Sequence, residues 1–179
     1  MHSWRVLLLS QFAPELFGQY DFSEPWDGPN NRQLLNRCPR TYALHDRNDE
    51  PGSITNYLAV VGPGTMWPGS EPTDRPFGGQ AILIVENVGA DVQWTEPRDL
   101  NLDTMNFDLS AAAPDGISSS YLPAAIALSD GSIRKLPPGK ISPEELRGLL
   151  TGQIDLATAL NSSDFQLEDG RDRPKRDGQ

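Results

Sequence analysis

Reactive side chains are scarce in this chain. It has one cysteine, Cys38, and two histidines, His2 and His45. A single cysteine excludes an internal disulfide. A structural zinc site takes four nitrogen or sulfur ligands, more than this inventory provides. Long apolar runs are missing as well: nothing approaches the ~18 residues that cross a bilayer. Residues 1–20 lack the basic start, apolar middle and small-residue cleavage site of a signal peptide. Positive charge is in the minority, with 15 Lys and Arg against 25 Asp and Glu, a net charge of −10. That field repels phosphate backbones and anionic lipid, so nucleic acid is not an expected partner. No internal repeat is present.

What is abundant is turn chemistry. The 179 residues include 16 glycines and 16 prolines, above average usage of about 7% and 5%. The length suits one domain, and the composition reads as a loop-rich α+β fold of short elements. Ser3 is a candidate N-cap for a helix over residues 3–12, in which Trp4, Leu8 and Phe12 share one face and Leu7 and Leu9 widen it. Pro14 limits its continuation. A second short helix is expected over residues 30–37, with Leu34 and Leu35 inward. Residues 39–53 read as a polar surface loop. Strands are expected at residues 56–61 and 81–85, with a short partner at Gln93-Trp94-Thr95, and residues 97–119 read as irregular. Residues 124–128 and 132–136 form a hairpin across Ser129-Asp130-Gly131, because Asp-Gly tolerates the positive φ of a tight turn. Ser142-Pro143-Glu144-Glu145 opens a helix to Leu150 with a capping box, and Gly152 ends it. Residues 153–160 add a helical turn or two. The charged stretch 161–179 reads as disordered.

The candidates for chemistry are weak. Asp46, Asn48, Asp49 and Glu50 cluster, but Gly52 is displaced from the EF-hand spacing. Gly64 and Gly69 have phosphate-loop spacing, with Ser70 where the lysine belongs and Pro68 removing an amide. No Gly-x-Ser-x-Gly elbow exists, and a Cys38–His45 dyad has no spacing argument behind it. Carboxylate pairs such as Glu86 with Glu96, or Asp99 with Asp103, arise by chance among so many acids; Glu86 closes an apolar strand and is expected to be partly buried and hydrogen-bonded. Trp4 and Trp94 read as core. Trp26 and Trp67 sit in turn-rich loops and are the weak candidates for stacking a ligand.

Several segments taken in order carry a resemblance. They are His2-Ser-Trp-Arg-Val-Leu-Leu-Leu9, the run from Tyr20 to Arg32, Asn56 to Thr65, Trp94 to Leu100, and Ser129 to Arg134 before the helix at Ile141–Leu146. Over residues 2 to about 151 the chain resembles the planctomycete family known as domain of unknown function 1559, whose members begin with a prepilin-type leader and a long apolar helix. The family ends in a signature of His, nine residues, then Asp-Gly. Here Asp130 and Gly131 match the end of it, and Ser120 stands at the histidine position. The segment Arg75–Gln80 also departs from the family's polar pattern.

The resemblance implies a pilin-like globular head with a small antiparallel sheet over residues 1–152, followed by a short helical turn and a charged tail over 153–179. It implies a non-enzymatic structural or assembly role, with no cofactor and no metal. The implied partners are other pilin-like subunits or an envelope assembly, and the implied location is the cell envelope or periplasm; the chain as written, if whole, would stay in the cytoplasm. The rival reading is an extracytoplasmic binding module for a sugar, peptide or calcium, built on the Trp26 and Trp67 loops. On the first reading, helix 3–12 is expected to present an apolar face that the rest of the chain covers poorly.

Overall fold

Two short helices joined at a proline lead the chain in a computed structural model that describes residues 1–44, 52–69, 80–110 and 113–161. Helix α1 spans Trp4–Phe12 and α2 spans Pro14–Gln19. Ser3 caps α1, its hydroxyl accepting from the Arg5 amide at 3.2 Å. Pro14 does stop α1, but it also starts α2 from its first position, where a missing N–H costs nothing. The expected helix over residues 30–37 is a 3₁₀ helix at Asn31–Arg37, kinked at Asn36, with Leu34 buried and Leu35 only half-buried. A second 3₁₀ turn covers Arg40–Tyr42.

Strands β1 (Tyr57–Val61), β2 (Ile82–Glu86), β3 (Leu100–Asn101), β4 (Asn106–Ser110), β5 (Gly116–Ser118), β6 (Ala124–Leu128) and β7 (Ile133–Leu136) follow. Helices α3 (Pro143–Leu150) and α4 (Leu156–Asn161) complete the described elements. The fold is α+β. Five strands form one sheet in the order β3-β1-β2-β6-β7. It is not purely antiparallel as expected, because β3 runs parallel to β1. The region 97–119 is not irregular either. It supplies β3 and the parallel pair β4–β5. β3 and β5 are hidden because they are two and three residues long, whereas β4 does alternate polar and apolar residues across Asn106-Phe-Asp-Leu-Ser110. Gly116 permits the β4–β5 approach: a Cβ there would sit 2.6 Å from the Asn106 carbonyl oxygen. Gln93 contributes only a single bridge to Ile54 rather than a strand.

A bulge at Leu83 sets which side chains face where. The register moves by one between Ile82, opposite Leu128, and Ile84, opposite Ala127. Ile82 and Val85 therefore point to one side of the sheet and Ile84 to the other. On the first side Leu58, Val60, Val85, Ile126 and Leu128 pack against Leu146, Leu149 and Leu150 of α3. The α3 capping box forms as its sequence requires, with Ser142 accepting from the Glu145 amide and Glu145 from the Ser142 amide. Leu156 and Ala159 of α4 belong to the same core, beyond residue 152. A second, smaller cluster gathers Val6, Leu9, Leu16, Tyr20 and Trp94 around the N-terminal helices.

Candidate functional site

One polar device holds α1 in place. Arg5 is fully buried, and such a cation survives in a core only when its charge and donors are matched. Its Nε donates to the Trp94 carbonyl at 3.2 Å, and one terminal nitrogen to the Tyr57 carbonyl at 3.2 Å and to Asp99 Oδ1 at 3.0 Å. The other donates to the carbonyls of Glu96 and Arg98 at 2.9 and 3.0 Å. Asp99 Oδ1 also accepts from the Trp4 indole at 3.2 Å and from the Ala59 amide at 2.9 Å. The guanidinium fork thus ties α1 to β1 and to the 94–99 segment.

Tethered at that side, α1 leaves the rest of the sheet face open. A groove of about 390 Å³ runs between α1 and β7. Its wall is the stripe Trp4, Leu8 and Phe12, one helical face at i, i+4, i+8. Phe12 and Trp4 each meet Tyr42 edge-on, with ring centroids 5.4 and 5.8 Å apart. The floor is a cross-strand row, Ile84, Ala127 and Ile133, paired in register; Ala59, which continues the row on β1, is fully buried. One residue pair along lies a second row, Tyr57, Glu86, Ala125 and Lys135. The apolar stripe is only partly covered: Leu8 is 46% exposed, Phe12 42% and Ile133 70%. Leu7, on the outer side of α1, is 56% exposed.

Few polar groups face this groove. The Tyr42 hydroxyl donates to the Arg5 carbonyl at 2.7 Å. Burial, reinforced by the nearby Glu86 carboxylate, raises the Tyr57 phenol above its ordinary value, so it stays protonated. Glu86, in the second row, is 1% exposed. Its carboxylate accepts from the Ser119 hydroxyl and, at 2.7 Å, from the Ala125 amide. It extends the β2–β6 ladder past the end of β2, a structural use that matches its position closing an apolar strand.

The residues singled out from sequence do not converge on this groove. Asp130 and Gly131 form the β6–β7 turn: Gly131 has φ +82°, and Asp130 Oδ1 accepts from the Ser132 amide at 2.9 Å. Hydrogen bonds from Ser132 hold the Asp130 carboxyl below its usual range. Gln80 donates to its other oxygen. Ser120 lies before β6 and Asp130 after it, so the two signature positions flank opposite ends of that strand. The Trp67 indole donates to the carbonyl of bulged Leu83 at 2.9 Å and lies 6.0 Å from the Trp4 ring. Trp26 is half-buried in the 20–30 loop. Neither Trp26 nor Trp67 lines the groove. Trp94 is fully buried, whereas Trp4 is half-buried and forms groove wall rather than core, because α1 turns Val6 and Leu9 inward instead.

The remaining candidates are accounted for singly. Cys38 is buried, its thiol donating to the Ile54 carbonyl at 3.5 Å, and burial pushes its pKa up to about 12. That is the opposite of an activated nucleophile. Glu96 pairs with Arg98 at 2.7 Å and Asp99 with Arg5 at 3.0 Å. Asp103 is exposed in the turn after β3. His45, Asp46, Asn48, Asp49, Glu50, Ser70 and the 75–79 part of Arg75–Gln80 lie outside the described residues. Among the described residues, no group of three or more His, Cys, Asp and Glu is placed to hold a metal ion, and no helix is long and apolar enough to cross a membrane.

Two groups of residues escaped sequence reasoning. Arg5, in the middle of an apolar helix, was the legible one: a lone charge at that position has to be either exposed or fully paired. The alanines of β6 carried no signal, since their role depends on which neighbour fails to cover them. Set beside known proteins, the chain matches no family model, no curated protein and no solved structure.

Proposed function

We propose that this protein is a non-enzymatic structural or assembly component, resembling the head of a pseudopilin-like protein of the cell envelope. On this reading the groove between α1 and β7 is the seat of an apolar α-helix belonging to the assembly. The observation that carries it is the groove's chemistry: an aromatic and leucine wall over an alanine and isoleucine floor.

The choice of a helix rests on hydrogen bonding. Inside the outer edge of β7, the floor's backbone is committed to the sheet ladder. An extended peptide laid there would bury unpaired N–H and C=O groups, each costing roughly 1–3 kcal/mol. A helix satisfies its own backbone. Ala125 and Ala127 leave room for its side chains to approach the sheet, as small residues do at helix interfaces. Small-molecule sites, by contrast, place several convergent polar groups around an apolar cavity. Here one of the hydroxyls, that of Tyr42, is already spent on Arg5.

The test is a titration of the full chain with a fluorescent-labelled apolar helical peptide of about 20 residues, held in non-ionic detergent and followed by anisotropy. Saturable binding that Ala127→Glu abolishes, with the melting temperature of the variant unchanged, is the expected result. Absence of binding, or binding indifferent to Ala127→Glu, removes the reading.

A further inference from the structure

The charges around the groove are at odds with those of the whole chain. The protein carries a net −10, yet among the described residues no Asp or Glu lines the groove. Helix α1, which forms one wall, has Arg5 as its sole ionisable residue, and that charge is spent internally. On the opposite rim, Lys135 follows Ile133 by two residues and so projects from the same face of β7. It is exposed and takes part in no ion pair among the described residues. Arg134 points to the other side of the strand by the same alternation. Arg40, which precedes the groove residue Thr41, is a second exposed positive charge.

From this we infer that the helix seated in the groove presents a carboxylate to Lys135, on the β7 side. The inference rests on the helix-seat reading and adds a rule for which helix fits. Its geometry follows from the second row of the floor. Tyr57 and Lys135 stand at the two ends of that row, across three strand spacings, or ~14 Å. Between them Ala125 leaves space above the sheet. The buried Glu86 carboxylate lies on the Tyr57 side of Ala125, one strand closer to β1. It repels an anion there and leaves the β7 side as the place where an acidic side chain is stabilised. Covering the groove also removes water from Lys135, which strengthens the attraction to a partner charge and penalises an uncharged or basic one.

Discrimination would then come from one side chain. An apolar helix with a basic residue at that position would place like charges together at a partly dried rim, and an acidic one would be preferred. Such a device sets orientation as well as choice, because reversing the helix moves its carboxylate away from Lys135.

Three labelled peptides test this, identical apolar helices except for a single rim position bearing Glu, Gln or Lys, titrated against the full chain in non-ionic detergent. The Glu peptide is expected to bind about fivefold more tightly than the Gln peptide, as an exposed to partly covered ion pair allows. The Lys peptide should bind most weakly. Lys135→Ala should erase the order, and Lys135→Glu should reverse it, while Arg40→Ala leaves it in place. Equal binding of all three peptides would overturn the charge rule and leave the helix seat standing. A Glu preference that survives Lys135→Ala would overturn the assignment to Lys135. If no peptide binds, the helix seat itself fails and the rule falls with it.

Discussion

The two faces of the sheet are finished in different ways. On the α3 side, leucines from α3 and α4 close over Leu58, Val85 and Ile126 in one apolar cluster. On the α1 side, a buried arginine ties the helix to β1 and the 94–99 segment, and the cover stops short of β7. Apolar packing is non-directional and spreads until the face is filled. A guanidinium fork is directional and holds its helix where the carbonyls are. The groove is the consequence: α1 sits where Arg5 finds its acceptors, not where the most sheet would be covered.

Removing the tether should be the most damaging single change. Arg5→Met leaves Asp99 as an uncompensated buried carboxylate and strands four carbonyls, so a loss of about 3–5 kcal/mol is expected in denaturant unfolding. Arg5→Lys should fail to restore it, because a point charge cannot reach the fork's separate acceptors. A loss below 1 kcal/mol would mean that α1 is held by Val6 and Leu9 and that the contrast between the faces is illusory.

The faces can next be compared leucine for leucine. Leu149→Ala empties a sealed site and should cost about 2–5 kcal/mol. Leu8→Ala, at the groove wall, should change stability by no more than about 0.5 kcal/mol. Paired thermal melts read both; equal losses would show the groove to be as tightly packed as the α3 core.

Alkaline pH sharpens the comparison, since the buried thiol lies on the α1 side. The folded-state pKa of Cys38 is raised from 9.0 to about 12 by burial. The stability this thiol contributes is complete below pH 9 and is lost as pH climbs from 9 toward 12, by up to ~1.4 kcal/mol per pH unit. Tyr20, raised from 10.0 to about 12 by burial and then by Glu24 and Asp27, adds to the loss above pH 10. Urea unfolding between pH 8 and 10 should show the first decline, and Cys38→Ala should flatten it. On the other face, Ser142→Ala breaks the α3 capping box and should lower stability by about 1 kcal/mol, with the groove and any peptide binding untouched.

Much of the fold could be read in advance, and the reasons are local. Ser3 and Ser142 announce their helices because a cap hydroxyl answers an amide two or three residues on. Asp130-Gly131 announces its hairpin because the turn needs positive φ. β1 and β2 stand out through their Val, Ile and Leu content. By contrast β3 and β5 were hidden, being two and three residues long, with β3 held by a partner some forty residues back (Val60 opposite Leu100); β4 was the legible one, its Phe107 and Leu109 alternating with polar residues. The sidedness of Ile82, Ile84 and Val85 was hidden too, since the bulge at Leu83 arises only against β6. Of the groove, the helical stripe Trp4, Leu8 and Phe12 was visible from its spacing. Its alanine floor and the rim residue Lys135 were not.

What the sequence determined alone are the features whose causes lie within a few residues: the capped helices, the Asp-Gly hairpin, the net charge and the shortage of thiols and imidazoles. What the tertiary structure decided is how those pieces face each other. Arg5 reaches acceptors as far along the chain as Asp99, and Lys135 shares a row with Ala125, Glu86 and Tyr57, only because β1, β2 and the β6–β7 hairpin lie side by side. Local propensity acts over one turn of helix or one hairpin, whereas the open face of the sheet depends on where a single buried charge finds all of its partners at once.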